Sequence, residues 1–127
     1  MTKTDELTFE EWVESTQHRR DELDAYGRSP LPADVSERHQ DIENAIRNCD
    51  DISRIKADAE SLLSQAKAQA MFAAMRNHPD FTAKEREIVI KDSIRGLQRL
   101  VDGISVTHQT IKSRIFASLN ANRAGLV

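Results

Sequence analysis

The stretch Thr82–Ala121, TAKEREIVIKDSIRGLQRLVDGISVTHQTIKSRIFASLNA, decides the fold. Ile90, Ile94, Leu97, Val101, Ile104, His108, Ile111 and Ile115 follow one another at alternating steps of four and three. That spacing keeps one apolar stripe turned toward a partner helix. A second stripe lies one residue back, through Val89, Ser93, Gly96, Leu100, Gly103 and Thr107. The pattern predicts one continuous helix over 82–121, Asp102-Gly103 included, because the phase is the same on both sides of that pair. Glycine inside a helix costs about 1 kcal/mol relative to alanine. Gly96 and Gly103 share one face, so a second helix is expected to approach closely there. Two stripes imply two neighbours.

Upstream, Val35, His39, Ile42, Ile46, Cys49, Ile52, Ile55, Ala59, Leu62, Ala66 and Ala70 step by threes and fours with no breaker before Pro79. They predict a helix over 34–77, joined to the next by the tight turn Asn77-His78-Pro79-Asp80-Phe81. Thr82 with Glu85 forms a capping box at the start of the following helix. Two long helices joined by so short a turn run antiparallel. A shorter helix is predicted over 9–26, opened by the capping box of Thr8 with Glu11 and stopped by Gly27; Pro30 and Pro32 then force an extended connection. Lying back along the hairpin, this helix reaches only its open end, about residues 34–54 and 104–121. Residues from Asn122 onward are expected to fray.

The predicted fold is therefore all-α: one domain over 1–127, a long antiparallel coiled-coil hairpin carrying a shorter N-terminal helix. Composition agrees, with 31% charged and 5% aromatic residues. No apolar run approaches the roughly 20 residues that span a bilayer, and MTKTDELTFEEW does not read as a signal peptide. A cytoplasmic location, in the host if the protein is viral, with no membrane partner, is the expectation. The tip half of the hairpin stays uncovered although it is apolar: Leu62-Leu63, Met71-Phe72 and Ile88-Val89-Ile90 are adjacent groups that cannot all face one partner. Leu63, Phe72, Ile88, Val89, Gly96 and Gly103 are accordingly the candidate interface with further copies of the chain or with another protein.

No nucleophile motif, glycine-rich phosphate loop or paired acid–base constellation is present, so no catalytic residue or cofactor is expected. The four histidines and the single Cys49 make no metal site on any usual spacing; His39 and Glu43 are four apart with no third ligand implied. Cys49 reads as a buried thiol. His108 interrupts an aliphatic stripe opposite Cys49, Asp50 and Asp51, where it reads as a hydrogen-bonded histidine fixing register or as a proton-linked switch. The His78-Pro79-Asp80 tripeptide between antiparallel helices resembles the J-domain co-chaperone signature, which would imply contact with a partner chaperone; a helix stop followed by a turn residue accounts for the same letters.

Charge is uneven. The net charge is −3, yet residues 1–61 carry 16 acidic and 8 basic side chains, and 62–127 carry 5 and 10. Two readings fit: the halves attract each other within the fold or between subunits, or the basic half faces an anionic partner. Lys84, Lys91, Arg95 and Arg99 fall within an arc of about 80° on the third helix. With Lys67 they form a candidate phosphate-binding surface for single-stranded nucleic acid. Ile111-Lys112-Ser113-Arg114, followed by Phe116-Ala117, resembles the closing segment of the UvsY-type phage recombination mediators. That family has a comparable order of a short helical region, a long helix, a turn and a second long helix. The resemblance implies a ring-shaped oligomer that binds single-stranded DNA and loads a recombinase in place of a single-strand-binding protein. In the family's DNA-contacting segment Lys and Arg precede a paired-tyrosine and glycine turn; here the region reads Ala66-Lys67-Ala68-Gln69-Ala70-Met71-Phe72, so only Lys67 carries over. The expected function is a non-enzymatic oligomeric accessory to recombination or replication. The alternative is a helical protein-interaction module, an adaptor, inhibitor or assembly factor, working through the apolar tip.

Overall fold

The structure, a computed structural model, describes residues 8–125. Four helices follow in order: α1 Phe9–Arg28, α2 Val35–Asn77, α3 Ala83–Ser93 and α4 Arg95–Gly125. All three predicted starts carry their caps. The Thr8 hydroxyl accepts from the Glu11 amide at 3.1 Å and the Glu11 carboxylate from the Thr8 amide at 3.1 Å. The Thr82–Glu85 box closes likewise at 3.1 and 2.9 Å. Asp34 caps α2 by accepting from the Glu37 amide at 3.1 Å.

Two boundaries differ from the sequence reading. Gly27 does not stop α1, which runs through it to Arg28 with no positive φ. The stop is Ser29, extended at φ −68° and ψ 154° ahead of Pro30. Gly27 answers to packing instead, since a Cβ there would meet the Thr110 Cγ2 at 2.8 Å. The continuous helix over 82–121 is interrupted at Ile94 (φ −103°, ψ 4°). Backbone bonding crosses the interruption, from Ile94 N–H to Ile90 carbonyl at 3.2 Å and from Gln98 N–H to Ile94 carbonyl at 2.8 Å. The Ser93 hydroxyl donates back to the Val89 carbonyl at 2.9 Å, a local competitor that bends helices. Asp102-Gly103 passes within α4 as the phase required. The helix also continues past Asn122, whose side-chain carbonyl accepts from Arg38 Nε at 2.8 Å; residues 126 and 127 lie outside the described chain, as do residues 1–7 of the segment read against a signal peptide.

Contacts between elements set the topology. Tyr26 meets Asp41 and Arg19 meets Asp51, so α1 and α2 are antiparallel. Arg114 meets Asp41 and His108 meets Ser53, so α2 and α4 are antiparallel as well. The core runs through Leu23, Ile52, Ala59, Leu63, Ile94, Leu97, Leu100, Val101, Ile104 and Ile111. At the open end the buried stripe departs from the predicted one. Asp41 and Ala45 are buried on α2 where Ile42 and Ile46 were expected, Ile46 being 48% exposed; on α4 Thr107, Arg114 and Ser118 are buried in place of His108 and Ile115. Small and polar residues there let a hydrogen-bonded network replace aliphatic packing. The cover given by α1 also differs. It extends from Tyr26 beside Asp41 to Phe9, which lines one groove with Ala66 and Gly96, farther toward the tip than residues 34–54 and 104–121.

Candidate interaction surface at the hairpin tip

Beyond Phe9 the α2–α3 hairpin has no third helix among the described residues. Its apolar groups stand out on several sides: Phe72 is 68% exposed, Ile88 62%, and Met71 and Met75 about half. At about 100° per residue, Phe72 stands about 100° round α2 from Met71 and about 60° from Met75, on the outer face of the helix. No residue of α3 is fully buried. Large apolar side chains standing together in solvent are a general feature of interaction surfaces.

Two grooves flank the uncovered half. One, of about 530 Å³, lies between α2 and α3 over Met71, Met75, Ile90 and Ile94, with Lys67, Arg86, Lys91 and Glu87 at its margins. The other, of about 400 Å³, continues the seat of α1 and is lined by Phe9, Ala66, Gln69, Ser93, Gly96 and Leu97. The turn between the helices is firmly built. His78 stacks on Phe81 with ring centroids 4.4 Å apart, and the Arg86 guanidinium donates to the Phe81 carbonyl at 2.7 and 3.2 Å. The His78 ring of the His-Pro-Asp tripeptide is thus engaged within its own turn, and Phe81 is half-buried, which leaves Phe72 as the exposed ring of the tip.

The predicted site residues divide. Lys67, Lys84, Lys91, Arg95 and Arg99 are all exposed. Only Lys67 and Lys91 meet, at the margin of the larger groove, where Arg86 joins them. Lys91 pairs with Glu87 at 3.2 Å and Arg95 with Asp92 at 2.8 Å, exposed pairs worth less than about 1 kcal/mol each. Among the interface candidates, Phe72 and Ile88 are open and Val89 is half-buried. Leu63, 7% exposed, belongs to the chain's own core and offers nothing to a partner. Gly103 is approached from within the chain by the Arg20 guanidinium, whose Nε would lie 3.4 Å from a Cβ. Gly96 has nothing within 4 Å of that point. Gly96→Ala should therefore stabilise the isolated fold by about 0.5–1 kcal/mol, read as a raised urea midpoint. Loss of self-association in the same variant would place a second chain against it.

A polar constellation at the open end escaped the sequence reading. Arg114, 5% exposed, forks onto Asp41, 7% exposed, at 3.0 Å from Nε and 3.1 Å from Nη2. Its remaining donors reach the carbonyls of Tyr26 at 2.9 Å, Ser29 at 2.6 Å and Pro30 at 3.4 Å. The Tyr26 hydroxyl donates to Asp41 at 2.9 Å, Ser118 donates to it at 3.4 Å, and the guanidinium lies 4.5 Å from the centre of the Tyr26 ring. All five guanidinium donors are used, so Arg114 locks the linker and has none left for a ligand. Its signal was phase: Arg114 and Ser118 continue the four-and-three stepping from Ile111. A second network joins α1 to α4, with Arg20 Nε donating to Thr107 at 3.0 Å and Thr107 to Asp24 at 3.1 Å. Among the described residues every buried side-chain nitrogen and oxygen has a partner.

His108 bonds Ser53 at 3.1 Å rather than Cys49, Asp50 or Asp51. Burial, then the charges of Lys112 and Lys56, hold its ring below the ordinary histidine value. A folded pKa below the unfolded one contributes stability that is present above about 6.5 and is lost as pH falls through the folded value. The urea midpoint should drop between pH 7.5 and pH 5, and His108→Gln should flatten that portion of the profile.

Among the described residues no cluster of three or more histidine, cysteine or carboxylate side chains could hold a metal, and no helix is long and apolar enough to cross a membrane. The chain matches no protein family, no curated protein and no solved structure.

Proposed function

We propose that this chain is a non-enzymatic assembly protein that works through the uncovered half of its hairpin, associating with copies of itself there. The observation that carries the reading is the exposure of Phe72 and Ile88 on a helix pair that α1 does not reach. A helix pair apolar on several sides is stable in water when further helices cover it. Sedimentation velocity from low to high micromolar concentration tests this. The wild type should grow in mass with concentration, and Phe72→Asp or Ile88→Asp should return it to monomer with unchanged helicity. A wild type monomeric throughout would sink self-association.

A second reading adds single-stranded nucleic acid, and with it the recombination-accessory role that the UvsY-type resemblance implies. It is supported by Lys67, Lys91 and Arg86 meeting at one groove margin, with Lys84, Arg95 and Arg99 exposed beyond it. Copies associated through their tips would multiply that charge. Anisotropy of a labelled single-stranded oligonucleotide should then show binding that weakens steeply with salt and disappears in the Lys91→Glu, Arg95→Glu double variant. Binding that survives the double variant, or none at low salt, would remove this reading.

A further inference from the structure

We propose that the groove between α2 and α3 is a docking site for an acidic amphipathic helix of a partner protein, a reading that rests on the assembly function above and deepens it. The floor is apolar and ordered by helical spacing, with Met71 and Met75 one turn apart on α2 facing Ile90 and Ile94 one turn apart on the other side. Thioether side chains adapt to the shape of what they receive. From Lys67 to Met75 the groove runs about 12 Å along α2, close to the roughly 10.5 Å between the first and last anchors of a helix that docks through positions i, i+4 and i+7.

The margins select the sign of the partner. Lys67, Arg86 and Lys91 stand against one carboxylate, Glu87. Arg86 is held in place by its two bonds to the Phe81 carbonyl, so its charge belongs to the groove rather than to a freely moving side chain. A second copy seated groove to groove would set this cationic margin against itself, which opposes pairing. Phe72, on the outer face of α2, carries no such margin and is left for self-association. Nucleic acid would meet the cations but no ring, since no aromatic side chain lines the groove, and bases bind by stacking on aromatics.

The probe is a fluorescein-labelled synthetic helix with leucine at i, i+4 and i+7 and glutamate on both flanks, titrated against the full chain by anisotropy beside a lysine-flanked counterpart. The glutamate-flanked helix should bind, and the lysine-flanked one should be about tenfold weaker or worse. Lys67→Glu with Lys91→Glu should invert that order. Met71→Asp should abolish binding, and Phe116→Asp, exposed on α4 outside the groove, should leave it unchanged. All four positions are exposed, so circular dichroism should be unaltered; should Met71→Asp lose helicity, the charge inversion decides alone. Equal binding of the two peptides, or an order that charge reversal does not move, overturns the proposal. So does an oligothymidylate that binds with dependence on Lys67 and Lys91 while the glutamate-flanked helix does not bind. Absent peptide binding with tip-dependent self-association intact overturns the groove assignment alone. A wild type that stays monomeric but binds the peptide overturns self-association and keeps the groove.

Discussion

Arg114→Ala lowers the unfolding free energy by about 3–5 kcal/mol, because it leaves the Asp41 carboxylate buried without its counter-charge. Set against the roughly 5–15 kcal/mol by which single domains are stable, this removes a large share of the total. The loss reaches beyond one contact. Arg114 also bonds the carbonyls of Tyr26, Ser29 and Pro30, so its removal frees the α1–α2 linker and loosens α1 at its C-terminal end. Amide exchange should accordingly accelerate most in α1, while urea unfolding reports the total. Replacing both partners, Arg114→Met with Asp41→Leu, should recover most of the loss, since no unpaired charge remains inside. A double variant as unstable as the single one would show that the linker bonds, not the charge pair, carry the energy.

The same network sets two edges of the pH profile. Burial pushes the Asp41 carboxyl up, but hydrogen bonds from Arg114 and Tyr26, with the Arg114 charge, outweigh it and hold the group below the usual carboxylate value. A lowered folded pKa means a contribution that is present above the unfolded value and lost as pH falls through the folded one. Tyr26 behaves in the opposite sense. Burial, then its bond to Asp41 and the charge of that carboxylate, raise it from 10 to about 12. Its contribution is fully present below pH 10 and is lost as pH rises through about 12.

Ile104→Ala costs about 2–5 kcal/mol, the range for truncating a fully buried branched side chain whose surroundings relax only in part. Ile104 is fully buried, in the core cluster that also holds Leu23 of α1 and Ile52 of α2. Phe72→Ala removes a larger side chain and should shift the unfolding free energy of the monomer by no more than about 0.5 kcal/mol, because the ring stands in solvent. The pair of measurements, made by urea denaturation at a concentration where the chain is monomeric, separates residues that hold the fold from residues available to a partner. A cost for Phe72→Ala comparable to that for Ile104→Ala would mean that the tip is covered within the chain, and the proposed interaction surface would fall.

Much of the architecture was written locally. Thr8 with Glu11, Asp34 with Glu37 and Thr82 with Glu85 place helix starts through bonds within one turn, and Pro30 and Pro79 act on their own backbone; such signals need no tertiary partner. Stripes at steps of three and four also set the helix type and the hairpin, because the apolar face is a property of spacing alone. The candidate site was legible in outline: an apolar tip longer than its cover follows from comparing helix lengths, and Phe72 and Ile88 stand there in runs of adjacent apolar residues that one partner helix does not cover.

What only the tertiary structure decided depends on which neighbour each residue meets. Leu63 and Phe72 are apolar residues on opposite faces of one helix, and only the neighbours packed on one side show which is core and which is surface. Gly96 and Gly103 are equally suited to close approach by spacing, yet Arg20 comes against the second and no atom lies within 4 Å of where a Cβ on the first would stand. Arg114 is a charged residue on an apolar phase, which spacing by itself excludes from a core; Asp41, contributed by another helix, and three linker carbonyls satisfy its donors and bring it inside. A buried charge is stable only when every partner arrives together, and those partners lie far apart in sequence. Local pattern determined the helices of this protein, and the long-range pairing of polar groups determined how they close.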